Sequence, residues 1–204
     1  MATKIFIPFY SRTGTVEALA RAVAEGAEAE GADVRLRRAR ELIGHDIMGS
    51  VPGWKESAEA MNARYPAPTA EDAVWADGIV FGTPTRFGAM ASELKAYIDG
   101  LGGLWVKGAL VGKAGAAFTG SATPHGGNES TIISMFNPMA HLGLIIVPTG
   151  YADAAMFKGA GTPYGPSVVS GNPASGPTPE ELDVARFQGR RIAKVASALR
   201  ALTG

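Results

Sequence analysis

Apolar residues fall along this chain in two alternating rhythms, short continuous runs and stripes at helical spacing, with glycine or proline at many of the changes. The run Ile5-Phe6-Ile7-Pro8-Phe9 reads as a buried strand over Lys4–Phe9. Val16, Leu19, Ala20, Val23 and Ala27 then follow helical spacing, and Gly31 closes that helix. Alternation over Asp33–Arg38 marks a second strand, and Trp54, Ala58, Met61 and Tyr65 give a short amphipathic helix. Residues 78–82 read as strand three, with Met90, Leu94, Tyr97, Ile98 and Leu101 as the next helical stripe. Residues 113–119 form strand four, 130–141 a helix that Pro138 should end or kink, and 144–148 strand five. Thr178-Pro179-Glu180-Glu181 is a capping box with proline at the first helical position, and Leu182, Ala185, Gly189, Ile192, Ala196 and Leu199 hold one face beyond it.

Strands alternating with helices predict a parallel sheet covered on both faces, in one α/β domain spanning residues 1–204. Glycine and proline cluster in 44–68 and 150–177, which read as insertions in that domain. The second stretch has little periodicity, unusual inside a compact domain unless it serves a site or an interface. Pro8 removes one ladder donor, which suits a strand end or a bulge. The loops leaving strands one, three and four should meet at the C-terminal edge of the sheet, where such folds bind ligands.

Composition narrows the function. Nineteen basic and nineteen acidic residues leave no net charge, so no pull toward nucleic acid or an anionic membrane is expected. The chain has no cysteine, which excludes disulfides and thiolate chemistry. Core residues begin at once, leaving no room for a signal peptide, and no apolar run approaches the roughly 20 residues of a membrane span. A cytoplasmic location is the expectation. His45, His125 and His141 lack metal-ligand spacing, so no metal site is expected.

The chemistry gathers where the strands end. Strand one breaks into Ser11-Arg12-Thr13-Gly14-Thr15-Val16, a hydroxyl-rich turn opening a helix. Hydroxyls and backbone N–H groups at a helix N-terminus suit a phosphate. The turn has neither the glycine spacing of a dinucleotide fold nor the lysine of a nucleoside-triphosphate loop. A Ser/Thr-rich first turn of this kind is what flavodoxin-like proteins use for flavin mononucleotide (FMN), whose strand order 2-1-3-4-5 the five strands match. A simple capped helix is the alternative. Strand three ends in Gly82-Thr83-Pro84-Thr85-Arg86-Phe87-Gly88, where Phe87 offers an apolar wall and Arg86 a positive charge favouring an anionic reduced flavin. A Pro/Gly turn with a solvated arginine is the alternative there. Strand four ends in a small, polar run containing Gly120, Ser121, Ala122, Thr123, His125, Gly126 and Gly127, which lets a flat ring approach the backbone or forms a plain surface loop.

Pro84-Thr85-Arg86-Phe87-Gly88, Gly102-Gly103-Leu104-Trp105, Gly161-Thr162-Pro163-Tyr164-Gly165 and Ala185-Arg186-Phe187-Gln188-Gly189 resemble, in order, the signatures of the tryptophan-repressor-binding protein (WrbA) family. Members are flavodoxin-like, FMN-binding NAD(P)H:quinone oxidoreductases that assemble as tetramers. The resemblance implies FMN as cofactor, NADH or NADPH as co-substrate, a quinone acceptor and a homotetramer. It places Ser11 to Val16 on the flavin phosphate, Thr85, Arg86 and Phe87 on the ring, and Gly120 to Gly127 closing the flavin site. It makes His141 the active-site histidine, lining the flavin and donating to a quinone oxygen, with Trp105 beside the substrate slot and Tyr151 near the same cavity. Thr13 departs from the pattern, standing where the family often has an aromatic against the nicotinamide nucleotide. Two other functions stay open: a flavodoxin-type carrier of single electrons, and a flavin reductase of azo or nitro compounds.

Overall fold

The computed structural model describes residues 1–158, 161–171 and 175–203. Strand β1 (Lys4–Phe9) pairs in parallel with β2 (Asp33–Arg38) on one side and β3 (Gly78–Arg86) on the other. Strand β5 (Ala114–Ser121) follows β3, and the two-residue β6 (Ile145–Ile146) follows β5. The main path is β2-β1-β3-β5-β6, the expected parallel order. Both of the first two strands fall where the apolar pattern puts them.

Pro8 is the next-to-last residue of β1, near the strand end as expected: the β1–β2 register is unbroken, while the β1–β3 ladder omits Ile7 and Pro8 and resumes at Phe9. The missing N–H faces β3, and the sheet accepts that gap. Strand β3 runs beyond residue 82 because it turns back through Phe87 and Gly88 onto the short antiparallel strand β4 (Ala89–Met90). Both turn residues have positive φ, 52° for Phe87 and 76° for Gly88, the backbone of a tight two-residue hairpin. The fifth strand is split. Strand β6 pairs with the start of β5, and β7 (Ser167–Val169) pairs with its end at Thr119, Gly120 and Ser121. Pro148, without an N–H, stops the first piece. The stretch 150–177 is therefore partly sheet, and it also holds a short 3-10 helix at Ala154–Lys158.

Helices cover both faces. Helices α1 (Thr15–Glu28) and α8 (Pro179–Thr203) pack on one, with Leu19, Val23, Ala185 and Ile192 in a buried cluster against β1 and β5. Their axes approach closely because Gly26 and Gly189 carry no side chain: a Cβ on either would stand 2.0 Å from a backbone oxygen of the other helix. The opposite face takes α4 (Ala70–Trp75), α5 (Ser92–Asp99) and α7 (Asn128–His141), burying Ala73, Leu94, Ile98, Ile132, Met135 and Met139. Helix α7 passes through Pro138 and ends one turn later at His141. The first insertion contains α2 (His45–Gly49) and α3 (Trp54–Arg64), and α6 (Gly102–Val106) follows α5. Thr178 and Glu181 form the expected capping box, and the Glu181 carboxylate also accepts the Val169 N–H at 3.1 Å, tying β7 to α8. Among the described residues no helix is long and apolar enough to cross a membrane.

Candidate functional site

Strand β1 delivers Tyr10 and Ser11 to the C-terminal edge of the sheet, where the chain must turn before α1. Gly14 makes that turn with φ 92°, a left-handed conformation at the N-cap that a side chain would strain. The Ser11 hydroxyl accepts the Gly14 N–H at 3.1 Å, which leaves its own proton to donate. Among the described residues the amides of Arg12, Thr13, Thr15 and Val16 find no protein acceptor. Four unspent donors and three hydroxyls on one helix N-terminus form a cradle for an anion.

A cavity of about 370 Å³ opens onto this turn, within the range of small-molecule sites. Its lining comes from the three loops expected to converge. Ser11, Arg12, Thr13, Thr15 and Val16 supply one side, and Pro84, Thr85 and Arg86 from the end of β3 supply another. Gly120, Ser121, Ala122, Thr123 and Gly126 come from the end of β5, with Ser170 after β7 closing the rim. Gly120 lets β7 pack closely on β5: a Cβ there would stand 2.7 Å from Val168 Cγ1. The Thr85 hydroxyl is held by the Thr131 hydroxyl at 2.8 Å, and buried Thr119 donates to the Thr83 carbonyl at 2.7 Å. The loop walls are thus fixed before any ligand arrives.

The remaining candidates lie outside this lining. Gly14 and Gly127 act as left-handed N-caps of α1 and α7. His125 is exposed in the loop, and Phe87 stands fully in solvent at the hairpin tip. His141 ends α7, whose first turn borders the cavity loop; fourteen residues of helix place it about 20 Å away. His141 and Trp105 instead share a separate shallow hollow with Ile98, Asp99, Gly102, Pro138 and Leu142. Tyr151 is exposed and tilts against Phe157, ring centroids 5.8 Å apart. Two lining residues carried no assignment from the sequence. Pro84 stands inside the motif that ends β3, and Ser170 follows a strand too short to show a period; the β-branched pair Val168-Val169 was its only signal.

Behind the turn lies a buried charge network. Arg38 is fully buried and grips both carboxylate oxygens of Glu41. Burial pushes the Glu41 carboxyl up, but the hydrogen bonds and charge of Arg38 outweigh it and hold it below its ordinary value. Burial, with the charge of Glu93 and Glu41 nearby, raises the Tyr10 hydroxyl well above its ordinary range, so it stays protonated.

Comparison with known proteins agrees with this geometry. Residues 10–158 match the NADPH-dependent FMN reductase family. The chain belongs to that family. It is 43% identical over 203 residues to a NAD(P)H dehydrogenase (quinone) of Geobacter metallireducens, covering 97% of this chain and 99% of the relative. A NAD(P)H dehydrogenase (quinone) of Sinorhizobium fredii is 43% identical over 202 residues, covering 96% and 98%. Among solved structures, a WrbA-like flavodoxin from Agrobacterium tumefaciens superposes with TM-score 0.67 at 24% identity, over 97% of this chain and 99% of the other. An archaeal flavodoxin gives 0.61 at 17%, over 96% and 99%. These likenesses establish a flavodoxin-like fold.

The family implies FMN, and the cavity fits it. The free amides and hydroxyls of the first turn match a phosphate dianion, and the small residues Gly120, Ala122 and Gly126 line the cavity beyond it. Pro84 and Ala122 offer apolar surface inside the cavity, and Phe87 stands exposed on the hairpin that follows Arg86.

Proposed function

We propose that this protein is an FMN-dependent NAD(P)H:quinone oxidoreductase. The reading is carried by one observation: a phosphate cradle with four free amides opens into a cavity walled by the ends of β3 and β5 and the loop that follows β5, in a chain of the FMN reductase family. When bound, FMN supplies the redox chemistry, accepting hydride from the nicotinamide and giving two electrons to a quinone.

The chain's own groups supply position and charge. Ser11, Thr13, Thr15 and the free amides of Arg12, Thr13, Thr15 and Val16 bind the phosphate. Thr85 and Arg86 orient the ring, Arg86 placing a cation where negative charge gathers on reduction, while the loop from Gly120 to Gly127 shields the other side. Nicotinamide and quinone take turns in one slot, which gives ping-pong kinetics.

His141 and Trp105 enter this scheme through assembly. They lie too far from the cavity to reach a flavin in their own protomer, and Trp105 and its chain neighbour Val106 leave apolar side chains in water. In a homotetramer this face packs on neighbouring copies, bringing Trp105 and His141 to the mouth of another protomer's cavity. There Trp105 walls the slot, with Tyr151 nearby, and His141 donates a hydrogen bond or proton to the quinone oxygen, a task suited to an imidazole at neutral pH. The purified protein should be yellow, should bleach with NADH or NADPH under anaerobic conditions, and should recolour with benzoquinone. A protein that binds FMN but keeps its colour with either nucleotide contradicts the reading.

A further inference from the structure

The phosphate turn does not stand alone; a buried arginine holds it from behind. Arg38, at the end of β2, is completely buried, and its Nη2 donates to the Ser11 carbonyl oxygen at 2.9 Å. The same guanidinium grips the Glu41 carboxylate through both terminal nitrogens, and its Nη1 donates to Asn62 Oδ1 at 2.5 Å. Arg40 donates to that same Asn62 oxygen at 2.6 Å and to the Tyr65 carbonyl at 2.8 Å. Asn62 lies on α3, inside the first insertion. A second tie runs from the same helix: the Arg12 guanidinium lies over the Trp54 ring, 3.7 Å from its centroid.

The peptide group makes this contact directional. A trans peptide is planar, with its C=O and N–H pointing opposite ways. Holding the Ser11 carbonyl toward Arg38 therefore turns the Arg12 N–H away from the buried network, to the side on which the cavity opens. Glu41 balances the Arg38 charge, so the pair adds little net field at the cradle and acts through geometry instead. One planar fork makes four hydrogen bonds to three segments, one more than the three protons of an ammonium group allow.

We propose that Arg38, braced by Glu41 and Asn62, is a positioning residue for the phosphate of FMN: it fixes the Ser11–Arg12 peptide so that the turn presents its amides to the ligand. The first insertion then has a role of its own, as the brace that keeps the turn ready. This rests on the assignment of the turn to the flavin phosphate, and riboflavin, which lacks the phosphate, separates the two ideas.

The test compares dissociation constants of FMN and riboflavin for full-length apoprotein by flavin fluorescence. The proteins are wild type, Arg38→Lys, the paired Arg38→Met with Glu41→Leu, and Asn62→Ala. The paired variant avoids leaving a buried carboxylate without its partner. Losing a turn-orienting bond from a charged donor should weaken FMN by about ten- to a hundredfold in the Arg38 variants. Asn62→Ala should act in the same direction but less. Riboflavin affinity should stay within about twofold, as a bond that orients phosphate donors predicts. Equal loss of both ligands, or wild-type FMN affinity in Arg38→Lys, overturns the proposal. If neither Arg38 variant folds, Asn62→Ala decides by the same ratio. A wild-type protein that binds riboflavin as tightly as FMN refutes the phosphate assignment itself, and this proposal with it.

Discussion

The contact between α1 and α8 sets a sharp test, because it is made by backbone. A Cβ at Gly189 would lie 2.0 Å from the Val23 carbonyl oxygen and 2.8 Å from the Ala27 nitrogen, whereas Cβ atoms keep beyond 3.0 Å of such neighbours. No side chain can rotate out of the way, so Gly189→Ala must push the helices apart by about 1 Å. Overpacking of this kind costs about 1–3 kcal/mol. A rigid backbone neighbour puts this site at the upper end, and the better helix propensity of alanine returns up to about 1 kcal/mol. The net is about 2 kcal/mol, which lowers the melting temperature of a chain this size by about 4–8 °C. Gly26→Ala meets the Arg186 carbonyl oxygen at 2.0 Å and should behave alike. Circular dichroism melts of the full chain read the effect. FMN binding should weaken as well, because α1 carries the phosphate turn at its N-terminal end. An unchanged or raised melting temperature would show that the helices are not in backbone contact, and the reasoning fails.

Replacing Ser11, Thr13 and Thr15 together by alanine should raise the FMN dissociation constant by orders of magnitude, since each charge-assisted bond contributes roughly 1.5–3 kcal/mol; an unchanged fluorescence titration refutes their role. His141→Ala should slow quinone-dependent reoxidation in stopped flow by roughly 10²–10⁴-fold while sparing reduction by NADH, and equal effects on both half-reactions would make the histidine structural. Light scattering should give a tetramer at micromolar concentration, whereas a monomer with FMN bound would remove the basis for placing His141 and Trp105 at a neighbour's cavity.

Much of this was legible in the chain because it is local. Lys4–Phe9, Asp33–Arg38 and the Thr178–Glu181 capping box depend on neighbours in sequence, and each forms where its pattern says. The cradle was legible for the same reason: six consecutive residues make the turn. What was hidden depends on distant partners. Strand β7 is three residues long and is defined by pairing with β5 some fifty residues earlier, so Ser170 could not be seen as a wall of the cavity. Asp72 reads as an ordinary capping acid, and its carboxylate does accept the N–H of Thr69, the N-cap of α4; only the fold shows it also buried between Arg35 and Arg37. The separation of His141 from the cavity was equally invisible, because a sequence motif gives no distance along a helix axis between the sites it names. Arg38 looked like one more residue of a strand ending in charges, and its complete burial follows from the turn and from α3 closing over it.

The central claim is that this chain uses FMN to move electrons from a nicotinamide nucleotide to a quinone. The most direct measurement is the oxidation of NADH or NADPH by benzoquinone with full-length apoprotein, before and after FMN is added back. The account predicts no turnover without FMN, and with it one nucleotide consumed for each quinone reduced, at a rate that saturates at one FMN per chain. Turnover that is independent of FMN, or a reconstituted flavoprotein that oxidises neither nucleotide in the presence of quinone, would contradict it.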